Sequence, residues 1–405
     1  MAGTDRGDLT RTAILALLGT VGPLSRSEIA RELDLSPATV TQLTKELIRH
    51  GMLEELDLKP SRGGRPAQRL GLVGSAGRAL GVKVTADHLV LVDVRLDGEV
   101  LGSWETPHDP AAPDALDHLA GAVESVVREI SGVPPLLGVG VGVPGSVDDQ
   151  AVGTVNAPTL GWQAMPVGDR LRRRLNLPVL VENDVNALAA AERLYGRGRT
   201  HRDFLVLTIG RGVGAAIVAD GRVYRGARGG AGEFGHLPVD PEGPLCGCGA
   251  RGCLEAFVGS AGLLAAARAR TARPEPDTRD PLGAVAALGR AAEGGDAIAR
   301  EVFAEAGAIL GRTTAGLINV VDPEVVVVLG EGTADWPLWR TGFEPALRAQ
   351  LYPGRRDISV EVESWDDTSW AQGAAALVLA TPFDSAGAAG EQGRLVRARL
   401  IGAAP

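Results

Sequence analysis

The chain has 405 residues, of which 45% are apolar and 22% charged, the balance of a globular protein of two or three domains. This composition excludes a disordered or collagen-like chain. No apolar run approaches the ~20 residues that span a bilayer, and Ile14–Leu18 is too short for a signal-peptide core, so we expect a cytoplasmic protein without membrane contact. The net charge of −9 argues against non-specific coating of nucleic acid, yet residues 1–80 carry 11 basic against 9 acidic side chains.

The first 78 residues have the pattern of a winged helix-turn-helix. Apolar spacing predicts a helix over 9–20, and Ser25 with Glu28 forms a capping-box pattern before the second helix. Ser36 before Pro37 starts a third helix that Gly51 ends. Two strand-like stretches, 53–58 and 69–73, then flank a basic Gly/Pro-rich tip at 59–66, as a wing would. A plain helical bundle with a flexible linker is the alternative.

The third helix would be the DNA-reading element, because its N-terminal side chains would meet base edges while lysines and arginines contact phosphates. Thr39 and Gln42 are candidates for base contacts, and Lys45 and Arg62 for phosphate contacts. Arg65 could enter a minor groove. The candidate DNA-binding residues are Thr39, Thr41, Gln42, Lys45, Arg62 and Arg65.

Residues 79–383 have an α/β pattern that occurs twice. A strand pair around Asp97-Gly98 and another around Asp220-Gly221 each suit a two-residue hairpin turn, and helical segments accompany both. Buried strands are predicted at 136–143 and 325–329, and a helix at 300–318. We expect a duplicated fold of two lobes with a cleft between them, and a mobile tail at 384–405, where little periodicity remains.

The three cysteines lie within eight positions, at 246, 248 and 253, downstream of His236. One imidazole and three thiolates match a tetrahedral structural zinc site with no open position for water, and the intervening glycines allow tight turns. A redox pair or chance clustering are the alternatives. Glu233 and Glu255 flank this set.

A polar motif, Glu182-Asn183-Asp184, ends a predicted strand and opens a predicted helix, where open α/β folds bind ligands. Carboxylates and a carboxamide suit sugar hydroxyls, because each hydroxyl both donates and accepts a hydrogen bond. Helix capping by Asn183 and Asp184 is the alternative.

These motifs resemble the ROK family (repressors, open reading frames and sugar kinases) along nearly the whole chain; Val143-Pro-Gly145 and Asn156-Ala-Pro158 with Trp162 agree as well. The resemblance implies an actin/hexokinase-like, ribonuclease H-like duplicated domain behind the winged helix. It implies zinc bound by His236, Cys246, Cys248 and Cys253. The implied sugar-binding residues are Asn183, Asp184, Glu233, His236, Glu255, Gly145 and Asn156.

Family kinases use the aspartate matching Asp184 as general base, and a regulator can share this residue. The motifs that would bind the nucleotide must therefore decide between a regulator and a kinase. The first phosphate motif here holds Lys83 at its acidic position and Thr85 at a glycine position, and Arg211 and Glu331 depart from two further motifs. Tight backbone approach to phosphates needs those glycines. We therefore expect no ATP turnover, with a ROK-type sugar kinase carrying an extra DNA-binding domain as the alternative.

The combination predicts a sugar-responsive transcriptional regulator, with repression favoured over activation. Its expected partners are a double-stranded DNA operator and a sugar or sugar-phosphate effector. Because operators mirror protein two-fold symmetry, we expect a homodimer or homotetramer.

Overall fold

The computed structural model describes residues 6–59, 67–130, 132, 134–150, 152–270, 280–363, 365, 368–383 and 389–400. Two compact units divide the chain, the first within Met1–Thr200 and Thr368–Pro405, the second within His201–Asp367. In the described part of the chain, no helix is long and apolar enough to cross a bilayer.

The helices are α1 (Arg6–Val21), α2 (Arg26–Glu32), α3 (Pro37–Arg49), α4 (Ala115–Glu129), α5 (Val167–Leu175), α6 (Asp184–Leu194), α7 (Glu255–Val258), α8 (Ser260–Arg270), α9 (Pro281–Glu293), α10 (Ala297–Val321), α11 (Trp336–Gln350), α12 (Ser369–Leu379) and α13 (Gly390–Leu400). The strands are β1 (Leu24–Ser25), β2 (Leu53–Lys59), β3 (Ala67–Leu72), β4 (Arg78–Val84), β5 (His88–Arg95), β6 (Val100–Pro107), β7 (Leu136–Val143), β8 (Ser146–Val147), β9 (Thr154–Ala157), β10 (Trp162–Pro166), β11 (Val179–Asn183), β12 (Phe204–Ile209), β13 (Val213–Ala219), β14 (Arg222–Val223), β15 (Val325–Leu329) and β16 (Ser359–Val362).

The winged helix-turn-helix is confirmed. Helices α1, α2 and α3 are followed by the antiparallel pair β2–β3, and the sheet order is β1-β3-β2. The predicted capping box is present, because the Ser25 hydroxyl accepts from Glu28 N while Ser25 N donates to the Glu28 carboxylate at 2.8 Å. Helix α3 ends in a Schellman arrangement at Gly51, whose φ is +69°.

Removing this cap is expected to loosen α2 alone. Ser25→Ala leaves the backbone N–H of Glu28, in the first turn of α2, without its acceptor, at a cost of about 1 kcal/mol. Amide hydrogen exchange over residues 26–32 should then accelerate roughly fivefold. Glu28→Gln retains a capping box and serves as the control. Equal exchange in S25A and the native chain would contradict this role.

The duplicated α/β fold is confirmed by two five-stranded sheets with the same topology. Their orders are β11-β7-β4-β5-β6 and β14-β13-β12-β15-β16. In each, an antiparallel three-stranded meander is extended on the side of its first strand by two parallel strands. A second three-stranded sheet, β10-β9-β8, also belongs to the first unit.

Glycines on β4 and β7 let helix α12 lie against the first sheet. A Cβ added at Gly81 would overlap the carbonyl oxygen of Ala371, and one added at Gly140 would overlap that of Ala374. Side chains alternate along a strand, so Lys83 points to the same face as Gly81, toward the start of α12.

One buried core connects the winged helix to the first sheet's helices. Ile14, Leu15 and Leu18 of α1 belong to the same apolar cluster as Leu194 at the end of α6 and Leu379 at the end of α12. The winged helix therefore packs with the helices of the first sheet within one unit.

Two expectations need correction. The Asp97-Gly98 turn is not a two-residue primed turn: Gly98 N donates to Arg95 O, and Arg95 N to Glu99 O, which is a three-residue loop with Gly98 at φ +91°. Asp220-Gly221 does form the predicted turn, with φ of +52° and +72°.

The second correction concerns the tail. Residues 390–400 form helix α13, and Val396 is fully buried in the core of the first unit. The Gln392 side chain accepts a hydrogen bond from Val179 N at 3.2 Å. Weak periodicity did not reveal this helix, because its stability comes from packing against distant elements.

Candidate functional site

Helix α3 exposes a polar face suited to reading DNA. Gln42 and Lys45 are exposed and make no hydrogen bond or ion pair with any described residue, so both are available to a ligand. Thr41 is less free, because its hydroxyl donates to Pro37 O at 2.7 Å, and Thr39 shares a hydrogen bond with the Ser36 hydroxyl at 2.7 Å. Gln42 and Lys45 are therefore the stronger candidates.

One arginine connects the second helix to the third helix and to the first strand of the wing. Arg26 of α2 donates to the buried Thr44 hydroxyl of α3 at 3.0 Å and to Glu55 of β2 at 2.8 Å. The remaining predicted DNA contacts, Arg62 and Arg65, lie outside the described residues. Their assignment stays a prediction.

The Asn183 side chain caps helix α6. Its Oδ1 accepts from Val185 N at 2.9 Å and from Asn186 N at 3.1 Å, and its Nδ2 donates to Gly145 O at 2.9 Å. The capping alternative is thus confirmed for Asn183. One N–H of its amide is left for a ligand.

Asp184, the first residue of α6, is held on both carboxylate oxygens. Its Oδ1 accepts from Val185 N at 2.9 Å, and its Oδ2 forms an ion pair with the ammonium of Lys83. Lys83 and Asp184 are only 7% and 8% exposed. The Lys83 ammonium also lies 4.3 Å from the ring centroid of Trp370 in α12.

Gly145 and Asn156 face each other beside this site. Gly145 has a φ of +104°, and a Cβ there would overlap Asn156 O, so only glycine fits. The exposed Asn156 accepts from Ala164 N through Oδ1 at 2.9 Å. Its Nδ2 makes no hydrogen bond with a described residue.

The second unit brings together the predicted metal ligands. The ligand atoms of His236, Cys246, Cys248 and Cys253 all lie within 4.8 Å of one another. The His236 Nδ1–Cys246 Sγ and Cys248 Sγ–Cys253 Sγ distances are both 3.7 Å. A tetrahedral zinc with Zn–S bonds of ~2.3 Å separates its ligand atoms by about 3.6–3.8 Å, so the donor set fits.

A tight backbone loop shapes this cluster. Gly249 and Gly252 have φ of +89° and +68°, and a Cβ at Gly252 would overlap Asp240 O. Burial and the neighbouring thiols raise the pKa of Cys253 to about 12, whereas a hydrogen bond from the backbone at Ala250 lowers the pKa of Cys248. A divalent cation would replace these thiol protons.

Glu233 and Glu255 flank the cluster. The Glu233 carboxylate lies 3.7 Å from His236 Nε2, the ring nitrogen opposite the one that faces Cys246. A metal-bound imidazole often has such a carboxylate behind it. Glu255 accepts from Val213 N at 3.1 Å, next to Gly212.

The loops that match phosphate motifs are occupied by the chain's own side chains. A Cβ added at Gly210 would overlap Oε2 of Glu331, so this carboxylate lies against the loop where a nucleotide would need positive charge. The Thr85 hydroxyl accepts from His88 N at 3.0 Å and has two acceptors within reach of its proton, Asp87 Oδ1 at 2.9 Å and the His88 carbonyl at 2.8 Å, so it is engaged within its own turn.

The predicted sugar residues fall into both units. Gly145, Asn156, Asn183 and Asp184 belong to the first, and Glu233, His236 and Glu255 to the second. Lys83 and Trp370 were not predicted as site residues. A lysine in the middle of an apolar central strand was the available signal, because a buried ammonium requires a partner.

The fold and the two sites define a class: a winged-helix DNA reader joined to a duplicated α/β domain with a His/Cys cluster that could hold a metal ion. The chain belongs to the ROK family, whose model matches residues 79–381, and the MarR family model matches residues 8–59.

Similar proteins match this chain over most of its length. The DNA-binding transcriptional dual regulator NagC of Escherichia coli K12 is 30% identical over 377 residues, covering 91% of this chain and 92% of that protein. The xylose repressor of Caldicellulosiruptor bescii is 29% identical, covering 88% and 92%.

Two solved structures are similar to this chain in fold. A ROK family transcriptional regulator described as a homolog of the E. coli MLC protein has a TM-score of 0.81 at 26% identity, covering 98% of this chain and 99% of that one. A ROK family glucokinase from Streptomyces griseus, in complex with glucose and AMPPNP, has a TM-score of 0.64 at 29% identity, covering 74% of this chain and 99% of that one. The matches to the regulators and the xylose repressor cover 88–98% of this chain, whereas the match to the glucokinase covers 74% of it.

Proposed function

We propose that this chain is a sugar-responsive transcriptional repressor that binds operator DNA through α3 and the wing. The observation that carries the proposal is the shared core: the reader's helix α1 packs with the far ends of α6 and α12. Helix α6 begins at Asn183 and Asp184, the motif suited to sugar hydroxyls.

We infer that the protein does not transfer phosphate from ATP. The Asp184 carboxylate, which would have to act as base, forms an ion pair with Lys83, and this lysine stands where the phosphate motif of the family kinases has an acidic residue. Glu331 adds a negative charge beside Gly210, where the triphosphate would have to approach.

The ion at the His/Cys cluster is proposed to be zinc in a structural role. All four ligand positions would be filled by protein, so no water could be activated there. Its function would be to hold the loop that carries Glu233, His236 and the start of α7.

Effector binding could reach the DNA reader through two helices. Helix α6 has 11 residues and is about 16 Å long, and α12 starts beside Lys83 at Trp370. A sugar that binds one arrangement of these helix ends better than another would shift the position of α1. In a homodimer or homotetramer this shift would change the spacing of paired recognition helices.

The test uses the full chain, an operator selected from random DNA, and D-glucose, N-acetyl-D-glucosamine, D-xylose and ATP as probes. One sugar is expected to raise Tm and change operator affinity by roughly 5–150-fold, with no shift by Mg-ATP. Lys45→Ala should weaken operator binding but keep the thermal shift. Sugar phosphorylation with ATP consumed one for one would contradict the proposal.

A further inference from the structure

Lys83 occupies a buried position where a charged side chain costs desolvation free energy. It lies on β4, the central strand of the first sheet, every residue of which is buried. An ammonium in such a place must be compensated by a partner, because desolvation of a charge costs several kcal/mol. Its compensation comes from Asp184 Oδ2 and from the face of Trp370.

This compensation leaves a donor unused. An ammonium carries three N–H groups, and Asp184 is the one hydrogen-bond acceptor that Lys83 has among the described residues. The Asp184 carboxylate has in turn accepted one bond on each oxygen, which leaves lone pairs free. An unused donor and an unused acceptor therefore lie side by side, and both side chains retain some accessible surface, 9% and 11%.

We propose that Lys83 is a ligand-binding residue that, with Asp184, binds one hydroxyl of a neutral, unphosphorylated sugar. A hydroxyl accepts from the ammonium and donates to the carboxylate at the same time, so a single group satisfies both. The charges of the pair cancel. A phosphate or carboxylate at this point would meet the Asp184 oxygen, which repels it.

The inference rests on the proposed function and selects the chemical class of effector. Asn183, which lies next to Asp184 and retains one amide N–H, would bind a neighbouring oxygen. Lys83 and Asp184 thus distinguish a sugar with a hydroxyl at one carbon from the deoxy sugar with a hydrogen there. The deoxy sugar would leave the Lys83 ammonium and the Asp184 carboxylate each without a hydrogen-bond partner in the ligand.

Isothermal titration of the full chain tests this with D-glucose, N-acetyl-D-glucosamine and D-xylose. The sugar that binds is then compared with its monodeoxy analogues and its phosphate esters. Lys83→Met is expected to lower the affinity for the unphosphorylated sugar at least tenfold. Lys83→Arg should retain part of that affinity. One deoxy analogue should bind the native chain weakly and lose nothing further in K83M, which a merely structural role would not produce.

K83M could destabilise the fold by leaving Asp184 unpaired, so the double variant K83M/D184N, which removes both charges, is measured in parallel. It should fold, and it should bind the parent sugar and the one analogue that lacks the contacted hydroxyl with similar affinity. Equal sugar affinity in the native chain and folded K83M would overturn the inference while the proposed function stands, and so would tighter binding of a phosphate ester. Failure of every probe to bind the native chain would instead remove the proposed function.

Discussion

Replacing Asp184 by asparagine is expected to abolish the change in operator affinity that the effector sugar causes. The variant loses a charge-assisted hydrogen bond to the sugar, worth about 1.5–3 kcal/mol, which corresponds to roughly 10- to 150-fold in affinity. It also breaks the ion pair with Lys83 at the start of α6. The measurement is the ratio of operator dissociation constants with and without sugar, which should fall to about one.

Asp117→Asn is the matched control, because this carboxylate lies exposed on α4 in the same unit and, among the described residues, forms only a surface ion pair with Arg170. It should leave the ratio unchanged. Circular dichroism and Tm identify any loss of folding in D184N, since an unpaired buried lysine is destabilising. A folded D184N that still responds fully to sugar would rule out the assignment of Asp184 to the effector site.

Replacing Cys253 by serine is expected to eliminate bound metal and to destabilise the second unit. A serine hydroxyl stays protonated at neutral pH and is not a zinc ligand. A structural zinc site has a metal-binding free energy of roughly 10–16 kcal/mol. If about 3 kcal/mol of it stabilises the fold, Tm should fall by roughly 6–12 °C when the metal is lost. Metal content per chain by elemental analysis, together with Tm, checks this.

Two histidine variants allow a matched comparison of metal content and Tm. His236→Gln should lose the metal, whereas His50→Gln, at an exposed position after α3, should retain it. Metal should also be released as the pH falls, because protons compete for the three thiolates. Native protein purified without any bound metal, and with a Tm insensitive to chelator, would exclude a structural ion here.

Local patterns determined much of this molecule. Serine caps at 25 and 36, the Schellman end at Gly51 and the strands 136–143 and 325–329 occur where the sequence predicts them. These features depend on neighbours in the chain: a cap satisfies N–H groups two or three residues away, and an unbroken apolar run such as Val325–Leu329 is sufficient for a buried strand.

The His/Cys cluster was also accessible from sequence, because its ligands lie within 18 residues and glycines at 249 and 252 permit the turns. The turn at 97–98 shows the limit of such rules. Asp-Gly is compatible with several turn types, and the register of β5 against β6 selected the three-residue loop.

Tertiary structure alone decided the rest. Lys83 and Asp184 are 101 positions apart, and only the parallel arrangement of β4, β7 and β11 places them in contact. Trp370 lies beside this pair because glycines on two strands allow α12 to pack against the same face of the sheet. Helix α13 forms because the core of the first unit buries Val396. A sequence specifies short-range hydrogen bonds directly, but which distant charges share a buried site depends on how sheets and helices pack.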